Sequence, residues 1–412
     1  MKLLEAYATV AGADVVEHLR QLAAPLKGKR VVHVNSTRLG GGVAEILAKL
    51  VPLTRELAID AVWEVIEGGR AFFECSKTMH NGLQGDRVFL SDEALEVYQR
   101  TNADNAERLR DVLEQADFVF IHDPQPAALL QHCPRRRGKW IWRCHIDASH
   151  SSRHVWRYLR DIVAPYDASV FSLAAFAKQL EHPQYVIPPS IDPLSEKNVD
   201  LAEQEIDEVR KRFSLDPERP LLVQISRFDR FKDPIGVVRA YHLAKRFLPA
   251  VQLVLAGGSA SDDPEGDIVL EEVRAAAKSE ADVHVLLLPP DADRTVNALQ
   301  RAADVVLQKS LREGFGLTVA EALWKGKPVI GGNVGGIRLQ VVNHHTGFLV
   351  DTADGAALRA RYLLRNRKEY ERMAATARAF VRENFLITRQ LREYLTLMVA
   401  LLHGADERIV LG

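Results

Sequence analysis

The feature that most constrains this chain is an alternation, run through twice, of short β-branched or aromatic segments with longer amphipathic ones. Strands that are apolar along their whole length must be covered on both faces, and parallel strands need helix-length crossovers, so the pattern specifies α/β domains. The first half carries such runs at Arg30–Val34, Ala61–Val65, Phe118–Ile121, Trp140–Arg143 and Ser169–Phe171, with a helix from about Val43 to Leu57. Tyr185–Ile187 closes the series. Pro188, Pro189 and Pro193 follow at once, and because proline fixes φ and restricts its predecessor, they and the charged stretch Ser195–Arg212 read as a stiff interdomain connection. A boundary near residue 190 results. The alternation then starts afresh at Leu221–Ile225, Val251–Leu255, Val283–Leu287, Val305–Leu307, Val329–Ile330 and Phe348–Val350. The last segment, Thr388–His403, has a helical pattern, but its residues do not say which domain it packs on.

Bulk properties remove several function classes. A chain of 412 residues with 47% hydrophobic residues buries two sizeable cores. With 54 basic and 55 acidic residues it has no global attraction for nucleic acid or an anionic membrane, so an anionic ligand must be met by local charges. No apolar run approaches the ~20 residues that span a bilayer. Cys75, Cys133 and Cys144 are odd in number and lack metal-ligand spacing, which predicts a reducing, cytoplasmic setting.

In the second half, Glu313-Gly314-Phe315-Gly316-Leu317-Thr318-Val319-Ala320-Glu321 leads from a strand into an apolar helix. A helix starting near Gly316 would offer the N–H groups of Leu317 and Thr318, with the positive end of its dipole, to a phosphate. Glu313 and Glu321 would accept hydrogen bonds from separate hydroxyls of one ligand, or be the solvated acids of an ordinary helix start. Upstream, Arg227 and Lys232 lie in the loop between a strand and a helix that begins at Pro234, where open α/β sheets bind ligands. Arginine grips a diphosphate bidentately and lysine adds a point charge, although a basic loop alone is usually solvated surface. Two more strand-to-helix glycine turns follow at Gly257-Gly258 and Gly335-Gly336.

In the first half, Gly40-Gly41-Gly42 lies between the first strand and its helix, where backbone N–H groups approach phosphate or sugar closely, or simply make a tight turn. It is neither G-x-G-x-x-G nor a P-loop, which disfavours a dinucleotide oxidoreductase. Asp123 and His145 stand after two other strands, with Asp147 two residues further on. Outside any site, Asp123 would be a helix cap and His145 a hydrogen-bonded, partly buried ring. His150 and His154 have the i, i+4 spacing of a metal pair, but a solvated helix start accounts for them better, so no metal site is assigned.

Taken in order, Ser226-Arg227-Phe228 with Lys232-Asp233-Pro234, Leu255-Ala256-Gly257-Gly258, Glu313 to Glu321 as E-x7-E, and Gly335-Gly336-Ile337 resemble the motifs of family-4 glycosyltransferases over residues 220 to 385. The resemblance implies a retaining enzyme of GT-B fold: two Rossmann-like, doubly wound α/β domains facing a central cleft. It divides the chain into an acceptor domain at 1–190, a nucleotide-sugar donor domain at 191–385, and a helical segment at 386–412 that returns to the first domain. By it, Arg227 and Lys232 look like the diphosphate ligands, Glu313 the sugar-contacting acid and Glu321 the ribose-contacting acid. Gly314, Phe315, Gly316, Leu317 and Thr318 join Gly40, Gly41 and Gly42 as donor-binding positions. His145 looks like the donor-sugar histidine, and Asp123 and Asp147 stand on the acceptor side.

Asn35-Ser36-Thr37 before Gly-Gly-Gly-Val-Ala-Glu, Trp142 to Asp147, and Gln308 to Gly316 look more narrowly like the trehalose glycosyl-transferring synthases. That likeness implies transfer of glucose from UDP-, ADP- or GDP-glucose to glucose, giving α,α-trehalose, with reversibility left open. Alternatives are another family-4 transferase with a sugar-phosphate acceptor, a phosphorylase or epimerase of the same architecture, and a non-catalytic sugar-nucleotide-binding protein. No cofactor is required, Mg2+ is admissible beside the donor diphosphate, and a homodimer is compatible with the sequence.

Overall fold

The computed structural model describes residues 3–39, 41–258, 264–278 and 280–404. The chain forms two compact units, Met1–Ser190 with Ile387–Gly412, and Ile191–Leu386.

The first unit is built on strands β1 (Arg30–Asn35), β2 (Asp60–Val65), β3 (Phe118–His122), β4 (Lys139–Cys144), β5 (Ala168–Phe171) and β6 (Gln184–Val186). All pair in parallel in the order β2-β1-β3-β4-β5-β6. Chain order therefore reverses between β1 and β3, and such a reversal opens a crevice at the carboxyl ends of the two strands. One face, with Val32, Val34, Val119, Ile121, Trp140 and Trp142, joins the large apolar core. The other lies under the Ile387–Leu402 helix, whose Tyr394 ring stacks on Phe120 at 5.1 Å and on His33 at 6.3 Å between centroids. Arg389 of that helix donates to the carbonyls of Pro188 and Pro189 at 2.9 and 2.7 Å, and pairs with Glu393 in a buried i, i+4 contact.

The second unit repeats the plan with β7 (Leu221–Ile225), β8 (Gln252–Gly257), β9 (Val283–Leu287), β10 (Val305–Gln308), β11 (Val329–Gly332) and β12 (Gly347–Val350). Its parallel order is β12-β11-β10-β7-β8-β9, with the reversal between β7 and β10. Gly257 is required by packing, since a Cβ there would stand 1.7 Å from the Ser226 carbonyl oxygen. The predicted strands all appear, most of them longer by one or two residues.

One expectation is corrected. The charged stretch before residue 212 is no bare connection: Glu203–Arg212 is a helix, started by the Glu205 carboxylate accepting the Ala202 N–H at 3.0 Å. Glu203 and Glu205 lie in the first turn and Arg210, Lys211 and Arg212 in the last, which suits the helix dipole. Arg294, from the Asp293–Ala302 helix, donates to Glu196 at 2.5 Å and to Glu205 at 2.8 Å, tying the stretch to the second unit. A composition of charges hid a helix whose buried face is little more than Ile206.

Candidate functional site

In the second unit the loops after β7 and β10 meet. The buried Gln224 side chain of β7 donates to the Lys232 carbonyl at 2.8 Å and holds its own loop, while the Leu311 N–H donates to the Phe231 carbonyl at 2.7 Å and stitches the two loops to each other. Asp233 takes a left-handed conformation at φ 49 and caps the Pro234–Lys245 helix by accepting the Gly236 N–H at 3.0 Å. Its other carboxylate oxygen pairs with the Lys309 ammonium, which is itself buried. Next to it, the Lys232 ammonium lies 2.6 Å from a Glu313 carboxylate oxygen, with the two side chains 18% and 10% exposed. The Ser310 hydroxyl donates to the same oxygen at 3.3 Å.

Glu313 is followed by the turn that starts the Leu317–Trp324 helix, with Gly316 as N-cap at φ 85. Only glycine takes that conformation without strain, and it frees the first-turn N–H groups, Leu317 and Thr318 among them, to point outward along the axis. Phe315 is buried edge-on to Phe385, 5.5 Å between centroids, so its ring is a packing element and Gly314 and Gly316 are the more open positions of the turn. The Gln340 amide clamps the turn by donating to the Phe315 carbonyl at 2.6 Å, and the Gly336 N–H donates to the Glu313 carbonyl at 3.1 Å. Thr318 donates its hydroxyl to Gln308 at 3.4 Å. Glu321 stands in the second turn with 1% exposure. Arg227 lies on the open side, its side chain 59% exposed and 3.2 Å from Asp229. The structure thus gathers Lys232, Glu313 and the helix start around one carboxyl edge, with Lys309, Asp233 and Ser310 as further members. Lys309 is legible in hindsight as a lysine directly after an apolar strand.

In the first unit, Gly41 is the N-cap of the Gly42–Glu56 helix at φ 83, and a Cβ there would meet nothing within 4 Å. Gly40 lies outside the described residues. The loop before them is held from below: Asn35 donates to the Thr37 carbonyl at 2.7 Å and accepts the Trp63 indole N–H at 2.8 Å, and Arg38 lies over the Trp63 ring.

After β3, Asp123 has φ 65, a conformation costly for a side-chain-bearing residue and kept only where several bonds over-determine it. Here its N–H donates to the Arg143 carbonyl at 2.8 Å, its carbonyl accepts the Trp142 indole N–H at 3.0 Å, and its carboxylate accepts the His145 N–H at 2.7 Å. Burial pushes the Asp123 carboxyl up to about 7, against the opposing pull of the His145 N–H and of Arg143. Asp147 is engaged locally, accepting the Ser149 N–H at 3.1 Å and the Ser149 hydroxyl at 2.5 Å. The His145 ring contacts the His122 ring, Nε2 to Nδ1 at 2.9 Å, and His122 Nε2 lies 3.1 Å from His33 Nδ1. Burial lowers the pKa of all three imidazoles, His33 to about 3, so they are neutral near pH 7. His33 was missed in the sequence, although a histidine within Val-Val-His-Val-Asn, on an otherwise apolar strand, was the available signal.

Among the described residues no group of three His, Cys, Asp or Glu side chains could hold a metal ion, and no helix is long and apolar enough to cross a membrane.

Comparison with known proteins adds to this geometry. Residues 33–178 match the family model for the trehalose synthase N-terminal domain, and residues 205–380 match glycosyl transferases group 1. The chain is 47% identical to a trehalose synthase of Pyrococcus horikoshii over 97% of this chain and 96% of that one. It is 42% identical to a trehalose synthase of Rubrobacter xylanophilus over 97% of each. In structure it is similar to an α,α-trehalose-phosphate synthase (UDP-forming) from Burkholderia xenovorans in complex with glucose-6-phosphate, with a TM-score of 0.71 and 14% identity, over 90% of this chain and 100% of that one.

Proposed function

We propose that this chain, which belongs to the trehalose synthase family of glycosyltransferases, moves glucose from a nucleoside-diphosphate glucose to free glucose and forms α,α-trehalose. Its two six-stranded parallel units have the GT-B fold. The observation that carries the proposal is the Lys232–Glu313 pair beside the open start of the Leu317–Trp324 helix. A diphosphate needs positive charge and outward N–H groups, and that edge of the sheet supplies both.

In this reading Arg227 and Lys232 hold the diphosphate, and the N–H groups of Leu317 and Thr318 take its remaining oxygens. Glu313 orients a sugar hydroxyl when the diphosphate draws Lys232 away, and Glu321 serves the ribose. His145 contacts the transferred glucose, with Asp123 and Asp147 on the acceptor side. The bond from glucose C1 to the diphosphate oxygen breaks, and the bond from C1 to the acceptor's anomeric oxygen forms on the same face of the ring. The acceptor's hydroxyl proton passes to the departing diphosphate, so no enzyme nucleophile is consumed and the anomeric configuration is retained. Lys232 and Arg227 stabilise the charge that develops on the leaving group. Arg227 and Lys232 carry the charge in this reading, so it requires no metal, and Mg2+ held by the donor diphosphate is compatible with it.

The test is a matrix of UDP-, ADP- and GDP-glucose against glucose and glucose 6-phosphate, with products identified by NMR. α,α-Trehalose with an equivalent of nucleoside diphosphate is expected. A phosphorylated disaccharide as sole product, trehalose made from maltose without nucleotide, or cleavage of trehalose by inorganic phosphate would each overturn it.

A further inference from the structure

Three cations at the carboxyl edge of the second sheet each face an acid. Arg227 lies 3.2 Å from Asp229 and Lys232 2.6 Å from Glu313, and the Lys309 ammonium, directly after β10, meets the Asp233 carboxylate. Within each pair the charges cancel, so the pull this edge exerts on an anion depends on which pairs can part. Arg227 carries five N–H donors and can grip a phosphate without releasing Asp229. Each lysine is a compact point charge and must leave one partner to serve another.

The two lysines differ in what they would leave behind. Both contacts of the Glu313 carboxylate fall on one oxygen, Oε2, which takes the Ser310 hydroxyl at 3.3 Å besides the Lys232 ammonium. That oxygen keeps a donor when Lys232 turns to a ligand. Asp233 has no such reserve. It stands at φ 49, and its Oδ1 caps the Pro234–Lys245 helix through the Gly236 N–H at 3.0 Å, which pins the carboxylate and keeps it from following a moving cation. Its Oδ2 has the Lys309 ammonium alone among the described residues. With the lysine and aspartate side chains 8% and 19% exposed, departure of Lys309 would leave that oxygen largely desolvated and without a donor. The helix also makes room for it: a Cβ at Gly236 would stand 2.1 Å from Oδ2, in a turn where glycine is otherwise a poor choice.

We propose that Lys309 is a positioning residue that stays on Asp233 when the donor binds and cancels a carboxylate that cannot leave, while Lys232 parts from Glu313 and takes the diphosphate. The proposal rests on the reading that the diphosphate sits at this edge. Asp233 follows Lys232 directly in the chain, so without Lys309 its fixed negative charge would oppose the attraction that Lys232 and the Leu317 helix start exert on the ligand. Lys309 touches neither sugar nor phosphate; it acts through Asp233.

The experiment titrates UDP, ADP and GDP calorimetrically into full-chain variants at about pH 8, where an unpaired carboxylate remains ionised. Lys309→Met keeps the length of the side chain and loses its charge. It should bind the preferred nucleotide about tenfold more weakly or worse, the scale of one unit charge left uncancelled at a partly buried edge. The double variant Lys309→Met with Asp233→Asn removes both charges and keeps the helix cap, since asparagine accepts the Gly236 N–H and tolerates the left-handed conformation. Its affinity should return to within about threefold of the unsubstituted protein, although the link between the two loops is still missing. Undiminished affinity in Lys309→Met would overturn the proposal, and so would a double variant as weak as the single one, since Lys309 would then serve as a phosphate contact or a tether. Should Lys309→Met fold poorly, the double variant alone decides, with affinity near that of the unsubstituted protein expected and a tenfold loss overturning the proposal. Undiminished nucleotide binding in Lys232→Ala would instead overturn the reading on which the proposal rests. That variant leaves the Lys309–Asp233 pair in place, so the two failures are told apart.

Discussion

At the carboxyl edge of the first sheet stand three neutral imidazoles, a carboxyl pushed up to about 7 and the buried Arg143 side chain, whereas at the second stand two ammonium–carboxylate pairs, Lys232 with Glu313 and Lys309 with Asp233. The topologies are alike. Each sheet reverses its strand order between two strands, and after one of those two an aspartate takes positive φ, Asp123 at 65 and Asp233 at 49. Asp123 stands directly after its strand and Asp233 at the head of the helix that follows, and the two edges differ in electrostatic character. The edge with two ammonium groups and the Leu317 helix start suits an anion, and the uncharged imidazoles of the other suit hydroxyl groups, which is how a transferase of sugars from a diphosphate would divide its ligands.

The comparison breaks most visibly at Lys232. Lys232→Ala should lower turnover by about 10²- to 10³-fold, the scale of losing one charge stabiliser at a leaving group. It should also cost about 1–3 kcal/mol of stability, because Glu313 is left buried without its cation. Adding Glu313→Gln should return most of that stability and none of the turnover. Steady-state kinetics and urea midpoints on the single and double variants check both halves, and recovery of activity in the double variant would mean that the pair is structural.

Arg227 sharpens the same side. Its side chain is 59% exposed, so Arg227→Ala should leave the urea midpoint almost where it is while turnover drops about tenfold or more. A loss of stability in step with activity would show a structural arginine.

On the imidazole side the smaller effect concerns pH. Asp123 has a folded-state value near 7, above that of an ordinary carboxyl near ~4, so it favours the folded state in its neutral form. That contribution is whole below about pH 4 and is lost as pH rises through about 7. Asp123→Asn keeps an oxygen for the His145 N–H and cannot ionise. The unsubstituted protein should therefore lose stability relative to the variant between about pH 4 and pH 7, and parallel urea midpoints across that range would contradict the assignment.

How much of this was legible follows from what each feature depends on. The strands were readable because β-branched runs such as Leu221–Ile225 are buried on both faces and need no partner to identify them. The start of the helix at Leu317 was readable too, because Gly316 before an apolar run is a local signal. The Glu203–Arg212 helix was not, since its stabilisation lies in charges and caps rather than in an apolar stripe. The Lys232–Glu313 contact joins residues 81 apart, and the His33–His122 contact residues 89 apart. Both are set by strand order and register, which no local pattern states. Nor did the residues of the last helix say where it packs; its aromatic partner, Phe120, becomes visible only once β3 is placed.

The contrast between the edges is tested most directly by calorimetric titration of UDP, ADP and GDP into the unsubstituted protein, Lys232→Ala and His145→Ala. If the charged edge is the seat of the diphosphate, the preferred nucleotide binds Lys232→Ala at least about tenfold more weakly, a loss of 1.4 kcal/mol or more, and binds His145→Ala as it binds the unsubstituted protein. Equal weakening in the two variants, or none in Lys232→Ala, would contradict it.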